Sequence, residues 1–418
     1  MSERNTLIPS LLAIFILSVS VDHLYDGRLF GVLNVSVQTF SMFLGLFYAA
    51  FFSIWSGKLY IDGNNNILRI VLFLLFIAFV FQAIRSEDYF RSLTYLAMLF
   101  INIFVFAVFS ERLGMISVKR ANNSIYILGV MLLGIIFAKY LYVIIFQASE
   151  ILADRERWEV GSSDVYEVLF GRYIAFQAYA GDPNVVGMAI AGIVFCGMYV
   201  ASVKKSGYIH LINVILILMI FVSFSRGAII SFLLVLFFCG FVLNKKEYKH
   251  YSVIFAVLLL FGFLLSPIFI AEGYSAFNPL SKFSHSISRR ADEWGFLFAY
   301  WIENPLLGGG LRYDELLLGK YAENSYLGLL VNTGIFGAVL FFLAISLVYF
   351  SSLVVWLKKR DEVVFPWIAY ATYLIISMGF VSMEVKPHLW VTLSVLAAFS
   401  FGQSWCIPRY FSRVKNGN

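Results

Sequence analysis

Polar residues that could take part in proton transfer stand at the start of one strongly apolar segment. Glu323 and Asn324 come directly before SYLGLLVNTGIFG, which runs from Ser325 to Gly337. A carboxylate in the first turn of a helix is favoured by the helix dipole by about 0.3–1 kcal/mol, which would by itself account for Glu323. A carboxylate can also accept the proton of an attacking hydroxyl group. The interaction of Glu323 with the helix dipole does not explain Asn324 or the two glycines further along the segment, Gly334 and Gly337.

Arginines stand beside three other predicted turns. Arg172 precedes the turn GDPN, Arg226 lies in the short turn SFSRGA, and Arg289 and Arg290 begin an amphipathic segment. Guanidinium groups bind phosphate oxygens in a bidentate manner, so arginines that converge would suit a phosphate or diphosphate ligand. A base beside them would suit group transfer with a phosphate leaving group. No D-x-D or D-x-x-D pattern follows on that side, so the arginines would take the place of a divalent cation, and no metal site is predicted.

Each of these residues also has a simpler interpretation. Asp182 or Asn184 could cap the helix that follows its turn. Arg226 could extend to the bilayer interface, Arg289 could bind lipid headgroups, and Arg172 could pair with an acid of its own loop. Isolated histidines are interpreted as ordinary surface or interface residues, and these are His23, His285 and His388.

The composition indicates a membrane protein. Of 418 residues, 61% are apolar and only 13% are charged, which is more apolar surface than a soluble domain can bury. Recurring apolar stretches predict an all-α, polytopic transmembrane helical bundle of about 12 spans, forming a single integral membrane domain over residues 1–418. Three cysteines within or beside apolar runs predict neither a disulfide framework nor a zinc site. The predicted spans are residues 7–21, 37–55, 67–84, 93–109, 125–146, 185–203, 209–224, 228–243, 252–271, 335–356, 365–381 and 389–402.

The short loops indicate the orientation, because cytoplasmic loops are enriched in Lys and Arg. In the scheme of 12 spans the basic loops all fall on one side, which predicts that both termini are cytoplasmic. The other side has two long periplasmic loops, residues 147–184 and 272–323. The net charge of +6 belongs to this pattern, and no nucleic-acid partner is predicted. The basic residues concerned are Arg4, Lys58, Arg69, Arg112, Lys119, Arg120, Lys204, Lys205, Lys245, Lys246, Lys249, Lys358, Lys359, Arg360, Arg409, Arg413 and Lys415.

The second long loop contains an amphipathic helix that is predicted to lie at the membrane surface. Pro305 and the run Gly308–Gly310 are predicted to end it and turn the chain. Its apolar face repeats at intervals of three and four residues, through Ile287, Ala291, Trp294, Phe298 and Trp301, and its polar face carries Arg289, Arg290, Asp292 and Glu293.

These stretches together resemble the bacterial O-antigen polymerase and O-antigen ligase superfamily of polytopic glycosyltransferases. The similar elements are GDPN, SRGA, an arginine-led amphipathic helix ending in ENPLLGGG, and AENSYLGLLVNTGIFG. The last motif of the family is His, then Asn, Ser or Gln, then nine residues, then G-x-x-G. Here Asn324 is followed by nine residues and by Gly334 and Gly337, but Glu323 replaces the histidine.

The resemblance implies substrates, partners and location. The donor would be a growing glycan on undecaprenyl diphosphate and the acceptor a repeat unit on the same lipid, at the periplasmic face of the bacterial inner membrane. No cofactor is implied, and a chain-length regulator is a further candidate partner. The implied catalytic residues are Glu323 as base, Arg290, and Asn324, which would orient the acceptor or the glutamate. The implied substrate-binding residues are Arg172, Arg226, Arg289, Asp182 and Asn184, with Arg172, Arg226 and Arg290 holding the diphosphate.

The replacement of the motif's histidine by Glu323 favours a polymerase over a ligase. In ligases that histidine is the proposed base, and a carboxylate is ordinarily the weaker base of the two. The sequence therefore predicts a polymerase first, with a ligase that transfers glycan to lipid A core as the alternative. A flippase for lipid-linked oligosaccharides is a third possibility, although it would favour charges deep within the spans, which are few here.

Overall fold

The computed structural model describes residues 10–14, 46–47, 66–146, 183–222, 225–271, 279–319, 322–380 and 386–401. Regular structure within these ranges is helical, which confirms the all-α prediction. The helices are α1 (Asn66–Arg85), α2 (Tyr89–Arg112), α3 (Met115–Phe146), α4 (Pro183–Lys204), α5 (Gly207–Val222), α6 (Arg226–Phe237), α7 (Lys246–Ala271), α8 (Pro279–Glu303), α9 (Tyr313–Leu318), α10 (Ser325–Lys359), α11 (Phe365–Ser377) and α12 (Pro387–Phe401), and a π-helical turn, Phe238–Val242, continues α6.

Four helices in the described ranges are long and apolar enough to cross a bilayer, namely Asn66–Arg85, Tyr89–Ser110, Val186–Lys204 and Ser325–Lys359. Shorter apolar helices coincide with other predicted spans. Helix α1 shows why such segments need lipid, since Phe73 and Ile84 are exposed while Leu75 and Phe79 on another face are buried. The total of about 12 spans, their orientation and the periplasmic position of the two long loops stay predictions, because much of residues 1–65 and 147–182 lies outside the described ranges.

The chain divides into two compact units. The first comprises residues 1–16, 38–124 and 294–418. In it, α10 packs on α1, α11 and α12, and α12 packs on α2. Three tryptophans are fully buried here, Trp356, Trp367 and Trp390. Asn122 ties two elements together, since it donates to the carbonyl of Val363 at 2.8 Å and accepts from the indole N–H of Trp367 at 2.7 Å.

The second unit comprises residues 17–37 and 125–293. Helix α4 is its centre and packs on α5, α6 and α7. Phe232 stacks on Phe195 and approaches Phe255, which joins α6 to both neighbours. Small residues permit the close approach, since a Cβ on Gly197 would lie 2.6 Å from the ring of Tyr126. The helices that carry Arg226 and Asn184 therefore belong to a well-packed bundle.

The structure changes two boundaries of the sequence prediction. Helix α3 begins at Met115 rather than at residue 125, and helix α10 begins at Ser325 rather than at residue 335. Helix α8 is present and ends at Glu303, before Pro305, as expected. Phe298 of the predicted apolar face is 46% exposed and Ala291 is exposed, whereas Leu297 is fully buried. The position of this helix at the membrane surface stays a prediction.

Candidate active site

Helix α10 is interrupted at Gly334, where the backbone has φ 61° and ψ −169°. Such a break releases the carbonyl groups of the preceding turn from the helical hydrogen-bond ladder. The carbonyls of Val331 and Asn332 accept instead the N–H groups of Gly309 and Gly310, at 2.8 and 3.1 Å. The glycine run after α8 thus supplies the donors that the interrupted helix leaves without partners.

Glycine is needed on both sides of this contact because the two backbones touch. A Cβ on Gly308 would lie 2.5 Å from a backbone oxygen of α10. A Cβ on Gly334 would overlap the carbonyl of Leu306. Beyond the break, the N–H of Ile335 donates to the carbonyl of Pro305 at 2.9 Å. The run of three glycines and the G-x-x-G motif, 24 residues apart at Gly310 and Gly334, are therefore two halves of one structural feature.

The same loop is fastened to the end of α1 and the start of α2. The guanidinium of Arg85 donates to the carbonyls of residues 307 and 308, at 3.2 and 3.3 Å. The hydroxyl groups of Ser86 and Ser92 both donate to the carbonyl of Leu311, each at 3.0 Å. Residues 304–311 are consequently held on two sides, by α10 and by the α1–α2 corner.

A buried carboxylate connects this loop to the segment that contains Glu323. Asp314 in α9 is only 3% exposed. Its oxygens accept from the side-chain amide of Asn332 at 2.8 Å and from the N–H of Ala322 at 3.0 Å. Its own N–H donates to Oδ1 of Asn332 at 2.9 Å. A buried carboxylate needs such donors, because burial without them would be costly.

Glu323 lies in the short segment between α9 and α10 and is half-buried. Asn324 follows it and caps α10, accepting the next two helical N–H groups at 3.0 and 3.2 Å with Oδ1. The N–H groups of residues 325–328 all have acceptors, since the first donates to the carbonyl of Met378 at 2.8 Å and the last to that of Asn324 at 2.9 Å. This helix start therefore offers no free N–H group to a phosphate, and recognition of a diphosphate must come from side chains.

Two tyrosines cover the glycine loop. The rings of Tyr300 in α8 and Tyr313 in α9 stack at 4.7 Å between centroids. Burial raises the pKa of the Tyr300 phenol, and the hydrogen bond with Tyr313 raises it further. Gly309 lies against the ring of Tyr313, so that a side chain there would displace the stack. Tyr300 thus stays a neutral hydrogen-bonding group at every physiological pH.

An ionic cluster flanks the loop on its α2 side. Glu315 contacts both Arg312 and Arg91, the second at 3.5 Å. Arg91 also contacts Asp88 at 3.2 Å, but its side chain is 58% exposed. Exposed pairs of this kind contribute about 0–1 kcal/mol each. The two ion pairs of Arg91 therefore add little to the stability of the loop, whereas the Arg312–Glu315 pair lies mostly below the surface.

The structure places some of the predicted site residues and leaves others aside. Glu323 and Asn324 lie together at the start of α10, as described above. Arg290 is half-buried in α8, in the second compact unit. For Arg289, Arg226 and Asn184 the structure describes the helical backbone and not the side chain. Arg172 and Asp182 lie outside the described residues. The expected convergence of Arg172, Arg226, Arg290 and Glu323 stays a prediction.

Three residues of the site were missed from the sequence. Arg85 gives no local signal beyond a basic residue at the end of a span, and its carbonyl partner Leu307 is 222 positions away. Asp314 is one of several acids in the segment 272–323, and nothing in its local sequence distinguishes it from the others. Asn332 was the most detectable, because an amide within an apolar helix needs a hydrogen-bond partner. No group of three metal-ligating side chains comes together within the described ranges.

The long apolar helices and this arrangement are those of an integral membrane protein with an ordered loop packed on a broken helix. Residues 211–342 match the family model described as O-antigen ligase. This match confirms the resemblance to the O-antigen polymerase and ligase superfamily, which comprises glycosyltransferase-like enzymes of O-antigen biosynthesis. It covers Arg226, Arg290, the glycine loop and Glu323, whereas Arg172 and Arg85 lie outside it. A search of curated proteins gave no match.

Proposed function

We propose that the protein is a polymerase of O-antigen or a related surface polysaccharide. It transfers a growing glycan from undecaprenyl diphosphate to a repeat unit on the same lipid, at the periplasmic face. The observation that carries the proposal is the position of Glu323, half-buried at the start of a broken helix inside the segment that matches the O-antigen ligase family. In ligases of the superfamily the histidine at this position is the proposed base.

The transfer needs a base and a means of neutralising the leaving group. The hydroxyl oxygen of the acceptor attacks the anomeric carbon of the donor, and Glu323 accepts the proton of that hydroxyl group. The bond from that carbon to the diphosphate breaks, and undecaprenyl diphosphate leaves with the electron pair. Arg172, Arg226 and Arg290 neutralise its charge, with Arg289, Asp182 and Asn184 beside them, and no divalent cation is required.

The geometry narrows the role of Asn324. Its Oδ1 is already engaged by two N–H groups of α10. Only its side-chain amide N–H groups can therefore reach an acceptor sugar or the carboxylate of Glu323. Asn324 acts as a donor in this proposal, while its oxygen fixes the start of the helix.

Two other functions make different demands on the structure. A ligase would use the same residues to transfer finished glycan to lipid A core, and the description of the matching family is in its favour. A flippase would place charges within its spans. Among the side chains that the structure describes, the only buried charged group is Asp314, which lies in α9 and outside the four candidate spans.

A deletion strain separates these functions. Loss of a polymerase leaves lipid A core that carries one repeat unit, and loss of a ligase leaves bare core. We expect the first pattern on a gel of extracted lipopolysaccharide, and long-chain ladders on complementation with the wild-type gene. Bare core in the deletion strain would establish the ligase instead.

The same strain tests the residues. Glu323→Ala and Arg290→Ala should each fail to restore the ladder at normal expression. Glu303→Gln is the matched control, since Glu303 is an exposed carboxylate near the same loop and should restore it fully. Undiminished ladders with both alanine variants would remove these two roles.

A further inference from the structure

The buried carboxylate of Asp314 has no part in the transfer described above. It is only 3% exposed, and burial of a charge is costly unless hydrogen bonds compensate for the lost water. Asn332, its partner, is 4% exposed and lies in the last turn before the break in α10. Both side chains are therefore buried in the unit in which Leu297, Ala322 and Val331 form a hydrophobic cluster.

Three hydrogen bonds of this pair join three separate stretches of chain. Asp314 N–H donates to Asn332 Oδ1, Asn332 Nδ2 donates to one oxygen of Asp314, and Ala322 N–H donates to the other. In each of these three hydrogen bonds a donor faces an acceptor. The pair thus connects α9, the broken helix and the residue directly before Glu323.

The position of Ala322 matters because Glu323 is fixed on its other side as well. Asn324 is bound to α10 through its capping oxygen. Glu323 is therefore a single residue between two anchored neighbours, which leaves its backbone little freedom. Displacement of a catalytic group by about 1 Å can cost about 100-fold in rate. Loss of the Ala322 anchor would release one end of this arrangement.

We propose that Asp314 and Asn332 are a positioning pair that sets the location of Glu323 for proton transfer through the N–H of Ala322. The inference rests on the proposed function for the role of Glu323 itself. It assigns the pair no contact with substrate. It requires the full set of complementary hydrogen bonds, and it does not require either residue type at a particular position.

The complementarity can be broken and restored without a change of shape. Asp314→Asn leaves two acceptors for four donors, so that in every amide orientation a donor faces a donor. Asn332→Asp places two carboxylates against each other. The double exchange, Asp314→Asn with Asn332→Asp, restores all three hydrogen bonds and the single negative charge. A role in bulk packing alone would not distinguish these nearly isosteric variants.

The test uses full-length protein in lipid nanodiscs, with a lipid-diphosphate-linked repeat unit as donor and acceptor. Each single variant should lower kcat by about 10- to 100-fold with little change in KM. Each should also speed amide hydrogen exchange in residues 319–323 by about 10-fold. The double exchange should return both quantities to within about threefold of wild type.

Two results would overturn the positioning role. One is a wild-type kcat and a wild-type rate of amide hydrogen exchange in the folded single variants. The other is a double variant whose kcat stays as low as that of the single variants. Failure of the proposed function looks different, because Glu323→Gln would then keep the wild-type kcat. If Glu323→Gln is inactive while Asp314→Asn is fully active, the base assignment stands and the positioning pair does not.

Discussion

Replacement of Gly334 by alanine tests whether the break in α10 holds the site together. The φ and ψ angles of Gly334, 61° and −169°, lie in a region that is essentially restricted to glycine. Its Cβ would also overlap the carbonyl of Leu306 and lie 2.5 Å from the nitrogen of Leu307. Both atoms are backbone, so no side-chain rotation relieves the overlap, and the loop must move.

The cost follows from what the movement breaks. The backbone conformation alone costs about 1–3 kcal/mol for a residue other than glycine. Displacement of the loop loses the bonds of Gly309, Gly310 and Ile335 to their carbonyl partners. At about 0.5–1.5 kcal/mol each, these add about 1.5–4.5 kcal/mol. We therefore expect a destabilisation of about 3 kcal/mol or more, together with loss of polysaccharide ladders in the complemented deletion strain.

The assay is denaturant unfolding of the detergent-solubilised protein, followed by tryptophan fluorescence, beside the ladder assay in cells. Gly295→Ala is the matched control, because Gly295 lies inside α8 and a Cβ there would meet nothing within 4 Å. That variant should be neutral or more stable by about 0.5–1 kcal/mol. Equal stability of Gly334→Ala and Gly295→Ala would refute the reasoning from the break.

Further predictions concern single contacts of the site. Asn324→Ala should lower stability by about 1 kcal/mol through loss of the helix cap. Asn324→Ser should recover most of that stability but not the transfer activity, because serine lacks the amide N–H groups. Wild-type activity in Asn324→Ser would assign the residue to capping alone. Arg85→Gln should lower the free energy of unfolding by about 1–2 kcal/mol, because the guanidinium of Arg85 holds two loop carbonyls. Arg91→Gln should lower it by less than about 0.5 kcal/mol, since the side chain of Arg91 is exposed. A larger loss for Arg91→Gln than for Arg85→Gln would contradict the fold of the loop. Glu323→His should keep some transfer activity, with an acidic limb near pH ~6.5 in the rate–pH profile, because a base must be unprotonated to act.

The sequence predicts much of the fold because apolar runs of sufficient length have few alternatives to a membrane helix. The predicted spans from residue 67 onwards coincide with helices to within several residues, except that α3 and α10 each begin ten residues before the predicted span. The predicted span of α10 begins at residue 335, although Glu323 is also interpreted from the sequence as a residue of a first helical turn. In the structure Asn324 caps the helix, and the nine residues before Gly334 form a short helix of their own.

The site is less accessible from the sequence because its contacts join distant segments. The glycine run after α8 was interpreted as a helix stop, which is correct but incomplete. Its N–H groups bind α10 beyond the next helix, and no local pattern identifies that partner. Periodicity likewise gives no sign that Leu297, beside Phe298 of the predicted apolar face, belongs to a buried cluster with Ala322 and with Val331 of the broken helix. Sequence periodicity gives a face and does not say which neighbour covers it.

The role of Glu323 is tested most directly by transfer with purified protein in nanodiscs that contain only the lipid-diphosphate-linked repeat unit, with EDTA present. Wild-type protein should form longer lipid-linked glycans and release one undecaprenyl diphosphate for each linkage. Glu323→Gln, correctly folded, should form none, and Glu303→Gln should match wild type. Chain elongation by Glu323→Gln at the wild-type rate would contradict the central claim that this carboxylate is the base.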